Sequence, residues 1–428
     1  MEKWLKRISG KELKLFSIFS MILLFGIGAF IGNFTRLAEG IWLIIVSRDA
    51  LITDYFELAG YGAAFLNAAL VMGISIFFII TEKIPFTGLT VAALFMNAGY
   101  GLWGKNPVNI LPVILGTALY AKLHKTKLNR YIYTALFGTC LAPLITELVF
   151  LFPFSRPVNL VLAVAIGIAI GFILPPLSIH TASMHMGYNL FNVGFSGGIL
   201  AFIMVSLLRA FGMESDSVMI WKSGQSVKIG AGLFFYFFIT VLLGFMMSGK
   251  KADSIGKIMK HSGRTVTDFV LMDGVGPTLM NMGLVGIFCE IYIILTGGDF
   301  SGPVVGAILA VFGFSAFGVH IKNYLPVLAG VYISTLFTIF SPDTPGIQLA
   351  AIFSAGLSPI AGQFGPLAGI VAGFLHAAVV MCTGQMYGGL NLYNNGFSAG
   401  WVAMIVVPIT ESFMKYLRGR KSEKEKEK

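Results

Sequence analysis

Two asparagine-bearing stretches are the residues best equipped for chemistry. Gly187-Tyr-Asn-Leu-Phe-Asn-Val-Gly-Phe-Ser-Gly-Gly198 returns near the C-terminus as Gly389-Leu-Asn-Leu-Tyr-Asn-Asn-Gly-Phe-Ser-Ala-Gly400. In each copy two amides stand three residues apart, on one side of a helical turn. Amides donate and accept hydrogen bonds, so Asn189, Asn192, Asn391 and Asn394, with Ser196 and Ser398, suit a neutral polar solute or a small ion. The bland alternative is helix capping. Asn67 and Asn281 stand alone in otherwise apolar runs and form a second matched pair, read here as a symmetric contact to the same solute. Glu147 and Glu290 also fall inside apolar runs, where a carboxylate is costly. Their counterparts are Gln363 and Ile76, an asymmetry that fits proton or ion coupling, with His185 as a relay or gate. Asp54 and Asp268 each follow a threonine just before an apolar run and read as helix-start carboxylates. Lys105, His320 and Lys322 flank the broken pairs and read as interfacial snorkelling residues, the alternative being attraction of an anion. No catalytic residue, metal site or cofactor is expected: His-x-x-x-His, Cys-x-x-Cys and Walker patterns are absent from the sequence, and Cys140, Cys289 and Cys382 lie in apolar runs.

The elements that position these residues are membrane helices. Hydrophobic residues make up 56% of the 428-residue chain and charged ones only 12%, and the mean hydropathy is +0.82. At least ten runs are long enough to cross a bilayer. The net charge of +10 is gathered in short segments and reads as membrane anchoring, not nucleic-acid binding. The expected partners are the lipid bilayer and a small polar solute, with a homo-oligomer (dimer or trimer) as a further possibility.

The chain is a duplication. At an offset of 214, Thr53-Asp54 matches Thr267-Asp268, Asn67 matches Asn281, Gly104 matches Gly318, and Asn109-x-Leu-Pro112 matches Asn323-x-Leu-Pro326. Leu141-x-Pro143 matches Leu357-x-Pro359 at an offset of 216. From Gly167 onward the offset is 202. The expected organisation is a basic N-terminus 1–15, repeat one over 16–212, a linker 213–230, repeat two over 231–418 and a charged, solvated tail 419–428.

Charge then sets the relation between the halves. The loop from Lys122 to Arg130 is basic and its counterpart, 341–345, is not. The loop from Lys250 to Arg264 is basic and its counterpart, 36–49, is balanced. By the positive-inside rule the halves are inserted upside-down to one another. The expected fold is all-α integral membrane, two inverted-topology repeats, each of about five transmembrane helices plus a broken or re-entrant pair at 86–122 and 300–340. Both termini are expected in the cytoplasm of a bacterial inner membrane.

The paired Gly-Tyr-Asn-Leu-Phe-Asn and Gly-Leu-Asn-Leu-Tyr-Asn motifs resemble a family of bacterial membrane proteins known only as a duplicated domain of unknown function. The layout is also similar to the urea transporters, whose repeats join a broken helical pair to further spans. The resemblance implies an inverted-repeat permease. The chain departs from the urea-transporter pattern at Leu174-Pro-Pro-Leu-Ser-Ile-His-Thr181 and at His376-Ala-Ala-Val-Val-Met-Cys-Thr383, and no site residue carries over. The expected function is a channel-like or secondary permease with its site where the repeats meet. The alternatives are a membrane-embedded enzyme on a lipid-like substrate and a non-catalytic assembly protein.

Overall fold

The computed structural model describes residues 10–31, 34–49, 52–215 and 218–426. Most of the basic N-terminus therefore lies outside the described residues. Repeat one contributes α1 (Lys11–Ile31), α2 (Gly60–Thr81), α3 (Gly88–Tyr100), α4 (Leu111–Leu123), α5 (Ile132–Leu151), α6 (Arg156–Met184) and α7 (Asn192–Ala210). Repeat two contributes α8 (Val227–Met247), α9 (Val275–Leu295), α10 (Gly302–Phe314), α11 (Ile321–Thr335), α12 (Pro345–Phe364), α13 (Pro366–Met386) and α14 (Asn394–Lys426). Each helix of the first set is matched by the one seven places later. Five of each seven are long and apolar enough to span. An odd number of crossings turns the second repeat over relative to the first.

The short pairs α3–α4 and α10–α11 leave and return on the same face. Glu82, after α2, accepts the Asn129 N–H beyond α4 at 3.1 Å. The turn between α3 and α4 reaches inward until Leu102 O accepts the Tyr55 N–H at 3.1 Å. Its mirror is the Phe269 N–H on Ala316 O at 3.2 Å. Asn67 and Asn281 hold these turns. Asn67 donates to Gly101 O and Lys105 O at 2.6 and 2.7 Å, and Asn281 to Ser315 O and Val319 O at 2.7 and 2.8 Å.

Two mated pairs cross at the pseudo-two-fold axis, α3 with α10 and α7 with α14. The α3–α10 crossing depends on glycine, because a Cβ on Gly99 would collide with the Gly306 carbonyl and one on Gly306 with the Gly99 carbonyl. Around this centre α1 and α8 turn Phe19, Phe25, Phe235 and Leu242 outward, as a lipid-facing belt requires. A parallel two-residue ladder, Ile52–Thr53 with Met219–Ile220, ties the entry of α2 to the segment between the repeats.

Two segments are more helical than their polar composition suggests. Residues 178–184 are helical, because α6 continues through Pro175 and Pro176 to Met184. The charged tail, read as solvated chain, continues the helix of α14 to Lys426.

Candidate functional site

The asparagine stretches meet at the axis. Asn189 Nδ2 donates to Gly396 O at 2.9 Å and Asn391 Nδ2 donates to Gly194 O at 3.2 Å. Their Oδ1 atoms accept from Phe191 N and Tyr393 N, two residues on, at 2.9 and 3.2 Å. Each amide thus folds its own loop and grips the other repeat. Breaks in α5 (Thr139–Leu141) and α12 (Ser354–Leu357) serve the same junction. Leu392 N donates to Cys140 O and Leu190 N to Gly356 O, both at 3.0 Å.

The second asparagines open α7 and α14. Asn192 Oδ1 accepts from Thr181 Oγ1 at 2.9 Å and from His185 Nε2 at 2.8 Å, while its Nδ2 donates to Ser178 O at 2.8 Å. Asn394 Oδ1 accepts from Thr383 Oγ1 at 2.9 Å and from the Tyr387 hydroxyl, and its Nδ2 donates to Val380 O at 3.2 Å. Ser196 and Ser398 each lie 2.7 Å from the matching threonine hydroxyl. His185 and Tyr387 are thus mates with one job. The Asn189 N–H points at His185 Nδ1 at 3.3 Å, which makes Nδ1 the acceptor and assigns the proton to Nε2.

Two mated cavities flank this junction. One, of about 200 Å³, lies beside the Arg264 loop and is lined by Ser178, Ala182, His185, Asn189, Asn192 and Tyr393 among others. The second, of about 70 Å³, lies toward the opposite face, with Val380, Gly384, Asn391 and Asn394 in the matching positions. Phe317 in the first corresponds to Trp103 in the second, and Val266 to Ile52.

Other expected site residues stand apart. Asn67 and Asn281 hold the helical turns and line neither cavity. Glu147, fully buried, is ion-paired to Arg48 and accepts from Ser215 at 2.7 Å. Glu290 is buried, and among the described residues its Oε2 has no partner. Neither glutamate lines a cavity.

Asp54 and Asp268 cap helices, and each does so in both repeats. Asp268 Oδ1 accepts from Val270 N and Leu271 N at 3.1 and 3.2 Å and from Gly88 N at 3.0 Å. Its Oδ2 accepts from Leu89 N at 3.2 Å. Asp54 Oδ1 accepts from Phe56 N at 2.8 Å and Gly302 N at 3.0 Å. So α3 is capped from repeat two and α10 from repeat one. Burial pushes Asp54 up to about 6 and raises Asp268 as well, against the opposing pull of these N–H groups.

Lys105 is the largest departure from the sequence reading. It does not snorkel to an interface; it is fully buried. Its Nζ donates to Asn97 Oδ1 at 2.9 Å and to the Tyr393 hydroxyl at 2.8 Å. It lies 4.7 and 5.3 Å from the ring centroids of Tyr393 and Tyr100. The repeat offsets carried a signal for it, since its mate is Val319.

Fold and junction together define a helical, multi-pass membrane protein built by duplication of one unit. The model of the family described as "Protein of unknown function (DUF1576)" matches residues 33–210 and 238–412, and the chain belongs to that family. No curated protein and no solved structure matches the chain, and the resemblance to the urea transporters is not shown.

Proposed function

We propose that the protein is a permease for a small polar solute, with its path along the pseudo-two-fold axis between the repeats. One observation carries this reading: two cavities related by the internal symmetry approach the same asparagine junction from opposite faces. Inverted repeats place a solute site at such a junction, and exchange of conformation between the repeats would close one cavity as the other opens. Their volumes, about 200 and 70 Å³, fit a state open toward the basic face. The positive-inside rule makes that face cytoplasmic. Amides and hydroxyls dominate the polar lining, which suits passage of a solute better than an enzyme's acid–base chemistry.

The test is uptake by proteoliposomes of the purified protein. The panel holds urea, small amides, ammonium, polyols and short carboxylates, with and without proton or sodium gradients. Ala182→Trp, which fills the larger cavity, is expected to reduce flux at least tenfold. Flux that is indifferent to this plug would refute the path, and absence of flux from folded protein would refute the permease.

A further inference from the structure

We propose that the solute is a small monovalent anion and that Lys105 is the group that selects it. The inference deepens the permease reading and rests on it.

The internal duplication supplies its own control. Lys105 and Val319 occupy the same place in the two turns, and each gives its carbonyl to the matched asparagine. The turn forms equally well with valine, so the fold does not need an ammonium there. The same holds for its surroundings. Asn97 corresponds to Val311, Tyr100 to Phe314 and Tyr393 to Phe191. On one side of the axis Phe191 packs edge-on against Phe314, with centroids 4.8 Å apart. On the other, Tyr393 and Tyr100 lie 4.6 Å apart with Lys105 against both rings. One half of the symmetric core is apolar, and the other carries a buried lysine.

A buried cation is costly unless a charge of opposite sign or an ample set of acceptors answers it. Among the described residues no carboxylate bonds the Lys105 ammonium, whose side-chain partners are an amide oxygen and a phenol. Among the described residues no Asp or Glu lines either cavity. The starts of α7 and α14, at Asn192 and Asn394, face the two cavities, and helix N-termini carry positive partial charge. These helix starts and Lys105 set positive charge beside the path. A passing anion supplies the missing charge, whereas a cation would be repelled and a neutral solute would leave the cost in place. Tyr393 stands between, lining the larger cavity while its hydroxyl holds Lys105. Lys105 itself lines neither cavity, so the Tyr393 ring must swing aside for the amine to meet the solute.

The experiment uses proteoliposomes of the full chain and measures uptake of chloride, nitrate, formate and acetate beside urea and glycerol. Lys105→Val copies the residue at the mate position and Tyr393→Phe copies its own mate. Both are changes this fold already accommodates once. The anions are expected to enter at least tenfold faster than into protein-free vesicles, with urea and glycerol at background. Lys105→Val should lose tenfold or more of the anion flux, Lys105→Arg should recover part of it, and Tyr393→Phe should lose several-fold. In detergent, nitrate or formate should raise the melting temperature of the wild type and not that of Lys105→Val. Neutral-solute flux indifferent to Lys105→Val would overturn the anion assignment and leave the permease standing. Anion flux unchanged in both Lys105→Val and Tyr393→Phe would remove Lys105 from the path. No flux of any kind from folded wild-type protein would overturn both readings.

Discussion

Removing the Asp268 carboxylate should loosen two helices in different halves of the chain at once. Its oxygens accept from four backbone N–H groups, two in its own short helix and two at the start of α3. Losing an N-cap costs about 0.5–2 kcal/mol, and a buried donor left unpaired costs about 1–3 kcal/mol. Asp268 is buried, and Gly88 packs so closely on Ala316 O that an added Cβ would collide with it. Asp268→Ala should therefore destabilise by about 2–4 kcal/mol. Asp268→Asn should cost only about 1 kcal/mol, because three of the four bonds go to Oδ1 and an amide oxygen can keep them. Asp54 serves the opposite end of the α3–α10 pair, about 20 Å away over thirteen helical residues, so the two alanine changes should add. The assay is reversible unfolding in mixed detergent micelles, followed by far-ultraviolet circular dichroism. A loss under about 0.5 kcal/mol for Asp268→Ala, or equal losses for Ala and Asn, would refute the crossed-cap reasoning.

Two further outcomes follow from the buried carboxylates. Glu290→Ile installs the residue found at the mate position and removes a buried oxygen that has no partner among the described residues. It should stabilise the protein by about 1–2 kcal/mol and leave flux unchanged, and loss of flux with retained stability would restore a coupling role. Asp49 is buried beside Glu147, with Tyr55 OH at 3.0 Å and Asn109 Nδ2 at 3.4 Å. Burial pushes its carboxyl up to about 8 from an ordinary 3.8. The folded state then holds a proton that the unfolded chain releases. The associated stabilisation is complete below about pH 4 and gone above about pH 8. Melting temperature should fall as pH rises through this window and fall less steeply in Asp49→Asn. Parallel profiles would contradict the assignment.

Much of the architecture was legible because duplication writes every structural requirement twice. The offsets of 214, 216 and 202 pair each helix with its mate, and the loop charges give the inversion. The asparagine stretches were found for the same reason, and they do form the junction. Their partners were not legible. Asn189 bonds the other repeat's Gly396, and a periodicity cannot say which carbonyl lies across an axis. Asp54 and Asp268 were read as caps of their own helices, whereas each also caps a helix in the other repeat. Lys105 reads as a snorkelling residue because neighbouring sequence shows only a Gly-Lys-Asn-Pro break between two apolar runs. Its burial is a tertiary fact, set by Tyr393 from 288 residues away. The last two turns of α6, through Met184, are not legible because Ser178, His180 and Thr181 interrupt the apolar run that marks a span.

The crossed caps also bear on how the protein is made. The carboxylate that completes α3 is 180 residues downstream of Gly88. At a synthesis rate of about 5–20 residues per second, the start of α3 waits roughly 10–40 s for its cap. The first repeat is therefore inserted before it can close, and its exposed N–H groups need water or the insertion machinery in the interval. The caps of α3 and α10 are complete only when both repeats are present. If the unit once existed as a single gene product, two copies inserted in opposite orientations would have had to exchange these aspartates between chains. Fusing the copies turned that encounter between molecules into a wait within one.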